Sequence, residues 1–429
     1  MADGTSDLLT YPLALQLIAD LPLTAGIESI PLVSAQGRVL AQDIQLAGDQ
    51  PPFDRATMDG FAVVLDNQAT TFAVVGLVPA GTNFAGPLNA GEGVRIMTGA
   101  PAPAGTTVIP LEATDQAGRI VPRHGLTHKT ISSSSSMTVT DIKALQPRRN
   151  IAFRGEDGKS GAIVVATGTV LGPATLACAA MAGARNVHVT RQPHIALITT
   201  GDEVGGTGAA AINDSNGPFL TAFALALGVP ATRVHVADDA VALRAAIVSG
   251  FDRADVVVTT GGVSAGDKDL IPVLAPSLGM TVIFHHVAMQ PGKPVFLARR
   301  GDGKLLLGLP GNPVSVLATA HLMLLPIVRR LLGLPAKDTW LNLPLAIPWE
   351  HRGKRQLFLP AKRTIHGIVP IHWNGSGDLI AAAAGDCLID LPPGTNLAAG
   401  SLVAILPYVG TNSGATGLMP ERAHVGQVT

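Results

Sequence analysis

The run Val256-Val257-Val258-Thr259-Thr260-Gly261-Gly262-Val263-Ser264-Ala265-Gly266-Asp267 decides the fold. Five β-branched residues in succession suit a strand covered on both faces, and the glycine pair stops it. Helical apolar spacing lies on either side, in Val241 to Val248 and in Leu270 to Leu278. Further out, Ile195 to Thr199 is another β-branched run, Phe219 to Leu227 has helical spacing, and Arg233 to Val236 is extended. Thr281 to Val287 and Leu305 to Leu307 read as strands, and Val314 to Leu332 as a long helix. Strands alternating with helices predict a multidomain α/β protein with a doubly wound, mostly parallel sheet spanning 183–335.

The flanking text has a different character. Tyr11 to Leu21 has helical spacing, whereas 45–145 is a series of short alternating runs broken by Gly and Pro. That block predicts a β-rich domain inserted into a small N-terminal α/β linker domain, made of 1–44 and 146–182. The serine tract Ser132 to Ser136 suggests a flexible surface loop within it. Short extended runs over 336–410 suggest a small C-terminal β domain, and 411–429, rich in Gly and Thr, a flexible tail.

Composition narrows the function classes. The 429 residues are 47% apolar and 14% charged, enough apolar material for several cores. Net charge is −1, and no basic run exceeds Arg148-Arg149 or Arg329-Arg330, which argues against a nucleic-acid partner. Cys178 and Cys387 make neither a disulfide framework nor a Cys-x-x-Cys site, and are expected to be inert buried thiols. The apolar stretch Pro313 to Val328 contains His321 and Pro326 and is shorter than a membrane span requires, so it reads as a buried helix. With no basic region ahead of an apolar core near residue 1, the expected location is cytoplasmic, away from any membrane.

In the α/β text, polar glycine-rich segments follow the strands: Thr200-Gly201-Asp202-Glu203, Asp238-Asp239, Gly261 to Asp267, Gln290-Pro291-Gly292-Lys293-Pro294 and Leu309-Pro310-Gly311-Asn312-Pro313. Parallel strands share a carboxyl edge, so these loops are expected to converge on one crevice. Each alone is a plausible turn; together they carry Asp, Glu, Ser and Lys as well. Asn312 suits a helix N-cap and Pro313 the first helical turn, leaving backbone N–H groups aimed at an anion. Lys293 adds positive charge, and Glu203, Asp238, Asp267 and Asp269 would repel a phosphate unless a cation lies between, the usual Mg²⁺ arrangement.

The motifs in chain order resemble one family, the molybdopterin molybdenumtransferases, related to the insertase domain of gephyrin. The resemblance is carried by Pro51-Pro52-Phe53-Asp54-Arg55-Ala56-Thr57-Met58-Asp59-Gly60-Phe61-Ala62, Arg95-Ile96-Met97-Thr98-Gly99-Ala100-Pro101 and Arg154-Gly155-Glu156-Asp157. It continues through Thr200 to Glu203, Asp214-Ser215-Asn216, Gly261-Gly262-Val263-Ser264, Pro291 to Pro294 and Leu309 to Ser315. It implies insertion of molybdate into adenylylated molybdopterin with release of AMP, by a homodimer that works beside a molybdopterin-adenylating protein. Catalytic roles would fall to Asp59, Thr98, Glu203, Asp238, Asp267 and Lys293. Substrate would be held by Gly201, Asp202, Ser215, Asn216, Gly261, Gly262, Ser264, Pro294, Gly311, Asn312, Ser315, Arg355 and Ser376, with Mg²⁺ or another divalent cation near Asp238 and Asp269. Within that pattern, Gln290 and His286 stand where several members carry lysine. Two other readings use the same sheet: a molybdopterin adenylyltransferase, and a non-catalytic molybdopterin-binding scaffold.

Overall fold

The protein is described by a computed structural model that covers residues 8–65, 69–116, 136–205, 211–263, 270–337 and 340–411. The chain divides into two compact units: Ile30–Gln36 with Gln42–Val187, and Met1–Ser29 with Gly37–Ala41 and His188–Thr429.

The larger unit is built on a six-stranded sheet. Its order is Ala231–Val236, Ile195–Thr200, Val256–Thr260, Leu305–Leu309, Phe296–Arg299, Thr281–His285. The first four strands pair in parallel. Val256–Thr260 is buried at every position, as its unbroken β-branched text leads one to expect. Phe296–Arg299 is the exception to the parallel expectation, running antiparallel to both its neighbours. It was not apparent as a strand because four residues beside the Arg299-Arg300 pair show no clear period.

Helices cover both faces. Ala240–Arg253 buries Leu243, Ile247 and Phe251 on one side, with Ile271–Ser277 beside it. On the other side lie Asn216–Ala226 and the long helix from Pro313, together with Tyr11–Asp20, whose Ala14, Leu15 and Ile18 share that core. The long helix is apolar enough to cross a membrane, but 89% of its most apolar window is buried inside the protein, so it is a core helix. Truncating a side chain such as Leu307, fully buried at the centre of the sheet, would cost about 2–5 kcal/mol.

That helix is not regular. Pro313–Thr319 and Leu325–Leu331 are α-helical, and Ala320–Leu324 between them is a π turn. Pro326 offers no N–H to the carbonyl one turn back and crowds it, and the widened turn accommodates the mismatch. His321, in this turn, is fully buried. Its Nε2 accepts from the Val409 N–H at 2.9 Å, which leaves Nδ1 to donate to the Leu317 carbonyl at 2.7 Å.

After residue 340 a second sheet forms, in the order Met289–Gln290, Gln356–Thr364, Cys387–Leu391, Leu402–Pro407, Leu341–Pro344. Its first member belongs to the loop that follows Thr281–His285, so the C-terminal sheet takes its edge strand from the α/β domain. Cys387 is buried and its thiol is pushed up to about 12, chiefly by desolvation, which makes it inert; Cys178 is only half-buried.

The smaller unit contains a five-stranded sheet in the order Thr107–Pro110, Gly60–Val63, Glu92–Ile96, Thr71–Val78, Ser136–Thr138. Apolar clusters line both of its faces, around Val94, Ile96 and Val108 on one and Phe61, Phe72 and Ile109 on the other. A short helix, Pro173–Met181, accompanies a strand pair formed by Ile44–Gln45 and Ile163–Val165. Of the serine tract, Ser136 opens a strand; Ser132 to Ser135 lie outside the described residues, as does 412–429.

Burial drives the His321 imidazole down to about 4 from its ordinary 6.5. The unfolded chain therefore binds more protons through that interval, so the contribution of neutral His321 is complete above pH 6.5 and is lost as pH falls towards 4. The full window corresponds to at most about 3 kcal/mol. Denaturant unfolding at pH 7 and pH 4.5 should show a stability loss that is smaller, by on the order of 1–3 kcal/mol, in His321→Gln. Equal losses in both proteins would refute the assignment.

Candidate active site

The crevice begins with register. Thr199 pairs with Thr260, and Thr260 with Leu309, so three adjacent parallel strands end level. The segments beginning at Gly201, Gly261 and Pro310 therefore emerge side by side at the carboxyl edge. Thr200 Oγ1 donates to the Thr260 carbonyl at 2.9 Å, and the Gly261 N–H to the Leu309 carbonyl at 2.9 Å, fastening these ends together. Gly261 and Gly262 have φ of +87° and +65°, a turn that side-chain-bearing residues rarely adopt. Beneath them, Gly308 leaves room for Val263, whose γ-carbon a Cβ there would strike.

Two adjoining clefts open at this edge, and Gly261, Gly262, Gly311 and Asn312 line both. The smaller, about 450 Å³, is also lined by Gly201, Glu203, Asp214, Ser215, Asn216 and Asp238. The acids in and beside it divide by role. Asp214 is committed locally: Oδ1 accepts the Gly217 N–H at 2.8 Å, and Oδ2 lies 3.6 Å from Arg233. Asp239 caps the helix Ala240–Arg253 by accepting the Ala242 N–H at 2.8 Å. Asp202 accepts the Asp238 N–H at 3.0 Å, fixing the backbone that carries Asp238. Glu203 and Asp238 line the cleft wall and carry carboxylate oxygens, donors of the kind Mg²⁺ takes. Among the described residues no group of three potential metal ligands forms. Ser264, Asp267 and Asp269 lie outside the described residues.

The larger cleft, about 610 Å³, gathers Lys293, Pro294, Ser315, Arg355 and Ser376 with Gln290 and Trp373. Lys293 is exposed, and neither it nor Arg355 meets a carboxylate among the described residues. Arg355 is steadied by a hydrogen bond from Nη1 to the Met289 carbonyl at 3.3 Å. Gly292, φ +97°, brings the backbone against the long helix, where a Cβ would run into the Thr319 methyl. His286 is also left-handed, φ +69°, and stacks on His285 at 3.8 Å.

The wall between the clefts is held from both sides. Asn216 Nδ2 donates to the Gly311 carbonyl at 2.7 Å, and Asn312 Nδ2 to Ser376 Oγ at 2.8 Å. Asn312 occupies the N-cap position, with Pro313 in the first turn, but its side chain does not cap the helix. The Val314 N–H, which such a cap can serve, donates instead to the Ser376 carbonyl at 3.0 Å, and the carboxamide turns to the hydroxyl.

In the smaller unit, motifs far apart in sequence meet. Asp59 Oδ1 accepts from both the Thr98 N–H, at 2.6 Å, and the Thr98 hydroxyl, at 2.8 Å. The Gly99 N–H donates to the Ala56 carbonyl and the Ala56 N–H to the Ala100 carbonyl. The Arg154 N–H donates to Asp54 Oδ1 at 2.8 Å, bringing in the third motif. Gly60 has no room for a Cβ against the Ile109 carbonyl. Asp59 and Thr98 are both exposed at this convergence.

The sequence matches three family models in order: MoeA N-terminal region (domain I and II) over residues 9–183, a probable molybdopterin binding domain over 196–330, and MoeA C-terminal region (domain IV) over 342–408. A molybdopterin molybdenumtransferase of Staphylococcus aureus is 30% identical over 404 residues, spanning 89% of this chain and 91% of that protein. The chain belongs to the molybdopterin molybdenumtransferase family. A Staphylococcus epidermidis relative of the same name is 30% identical over 398 residues, 88% of this chain and 90% of its own. A Pyrococcus molybdopterin biosynthesis MoeA protein of known structure superposes with a TM-score of 0.75 at 29% identity, covering 93% of this chain and 99% of that one.

Against this membership, some lining residues of the crevice were not visible in the sequence. Trp373, Gly375 and Gly377 reach it from the C-terminal domain, where short runs broken by Gly and Pro gave no register. Asp214 lines the smaller cleft as well, and in the sequence it stands out only within Asp214-Ser215-Asn216.

Gly292→Ala should lower the unfolding midpoint by the equivalent of about 1–3 kcal/mol, because it combines a left-handed backbone with a clash. Gly301→Ala, with open space around the added carbon, is the control. Equal midpoints by denaturant titration would contradict the packing described.

Proposed function

We propose that this member of the family inserts molybdate into adenylylated molybdopterin and releases AMP. The observation that carries the reading is the pair of adjoining clefts with opposite chemistry. One presents Lys293, Arg355 and the Ser376 hydroxyl, donors suited to an oxyanion, and the other presents Glu203 and Asp238 beside glycine turns. Gly261, Gly262 and Gly311 would let backbone approach the phosphates of the adenylylated pterin in the smaller cleft. Lys293, the Pro294 backbone, Ser315, Arg355 and Ser376 would hold molybdate, and the shared wall would keep the two ligands within reach of each other.

Mg²⁺, where bound, supplies charge to offset the phosphoanhydride and the departing AMP. Glu203 and Asp238 would hold it from the cleft wall, with Asp269 as a further ligand in the family pattern. Asp59 and Thr98 are proposed to act as a pair, the Thr98 N–H and hydroxyl fixing one carboxylate oxygen of Asp59. A homodimer in the cytoplasm, served by a molybdopterin-adenylating protein, completes the reading.

Asp59→Asn retains an oxygen able to accept from Thr98, so it removes charge while preserving shape; Lys293→Ala trims an exposed side chain. Each should reduce molybdate-dependent AMP release by at least about a hundredfold, the usual scale for a lost electrostatic contact at a reacting centre. Their unfolding midpoints should match the native protein's. Native rates in both variants would defeat the proposal.

A further inference from the structure

We infer that Asn312 is a positioning residue that sets the Ser376 hydroxyl as a donor, and that the larger cleft thereby selects oxyanions carrying no proton of their own. This rests on the oxyanion reading given above and adds to it which oxyanions are accepted.

The geometry is specific. Asn312 Nδ2, a group that can only donate, lies 2.8 Å from Ser376 Oγ. The hydroxyl thus accepts from Asn312, and its hydrogen is left for whatever occupies the cleft. The seryl backbone is held in place as well, because its carbonyl receives the Val314 N–H at 3.0 Å. Of the other polar side chains lining the space, the Lys293 ammonium and the Arg355 guanidinium have no lone pair to offer, and Ser315 and Gln290 carry only neutral oxygens. No carboxylate lines this cleft among the described residues. A carboxylate is the acceptor with which an oxyanion's own O–H pairs most strongly.

Tetrahedral oxyanions divide on this point. Molybdate, tungstate and sulfate are fully deprotonated at neutral pH and only accept hydrogen bonds. Inorganic phosphate keeps at least one P–O–H under the same conditions and needs an acceptor for it. Among these lining groups that hydrogen meets only neutral acceptors or water, a weaker match than a fully accepting dianion makes with the same donors. The cleft should therefore reject phosphate on protonation state rather than size, and should not separate molybdate from tungstate.

The test uses the full-length native protein and inorganic anions. Molybdate is titrated calorimetrically alone, then against equal concentrations of sulfate or phosphate. Sulfate should displace molybdate at least about tenfold more effectively than phosphate, the scale of one mismatched hydrogen bond. In Asn312→Asp the new carboxylate would take the Ser376 hydrogen and repel the dianion. Molybdate affinity should fall and the preference between sulfate and phosphate should narrow or reverse, a change that general loosening of the loop would not produce. Asn312→Ala, which keeps Ser376 but frees its rotation, should weaken molybdate binding with no gain for phosphate. Phosphate competing as well as sulfate in the native protein would overturn the inference, as would an unchanged anion order in Asn312→Asp. Failure of the native protein to bind molybdate at all would overturn the oxyanion reading, and the inference with it.

Discussion

The site depends on three parallel strands that stop at the same level. Because Thr199, Thr260 and Leu309 stand in one row, their successors share one side of the sheet, and the turns that follow face a common opening. A slip of one residue in any of these strands would exchange its faces as well as move its turn. The apolar cores on both faces therefore fix the position of the turns, and folding stability and site geometry are the same constraint.

Acidic side chains at this edge show how similar residues are separated by their surroundings. Asp239 serves a helix end, Asp214 a neighbouring turn and an arginine, and Asp202 the backbone of Asp238. Glu203 and Asp238 reach the cleft wall. Cations collect in the adjoining space, around Lys293 and Arg355. The chain thus divides opposite charges between two compartments that share a wall of glycine and asparagine, and that wall is tied down by side chains arriving from opposite directions.

Much of this was legible in the sequence because period and punctuation agreed. Val256–Thr260 has no polar alternation and is buried throughout, and the glycines after it turn where they were expected to. The meeting of Asp59 with Thr98 had no such signature, since only tertiary folding brings residues 39 apart into contact. Phe296–Arg299 carries no such signature either, because a four-residue strand is shorter than any reliable pattern. Asn312 illustrates a different limit: its place at the start of a helix followed from local rules, while its side chain obeyed a partner 64 residues away. The π turn at Ala320–Leu324 also escaped, although Pro326 was in plain view, because a proline announces a disturbance without specifying its form.

The edge strand Met289–Gln290 has a consequence for how the protein can be dissected. Its backbone partners are Gln356 and Leu357, and Arg355 grips the same carbonyl group of Met289. A fragment ending near residue 335 would preserve every strand of the six-stranded sheet yet leave the Lys293 segment without its neighbour. Boundaries drawn by sequence family would in this case cut through a shared piece of architecture, and the excised domain would present half a binding surface on an intact scaffold.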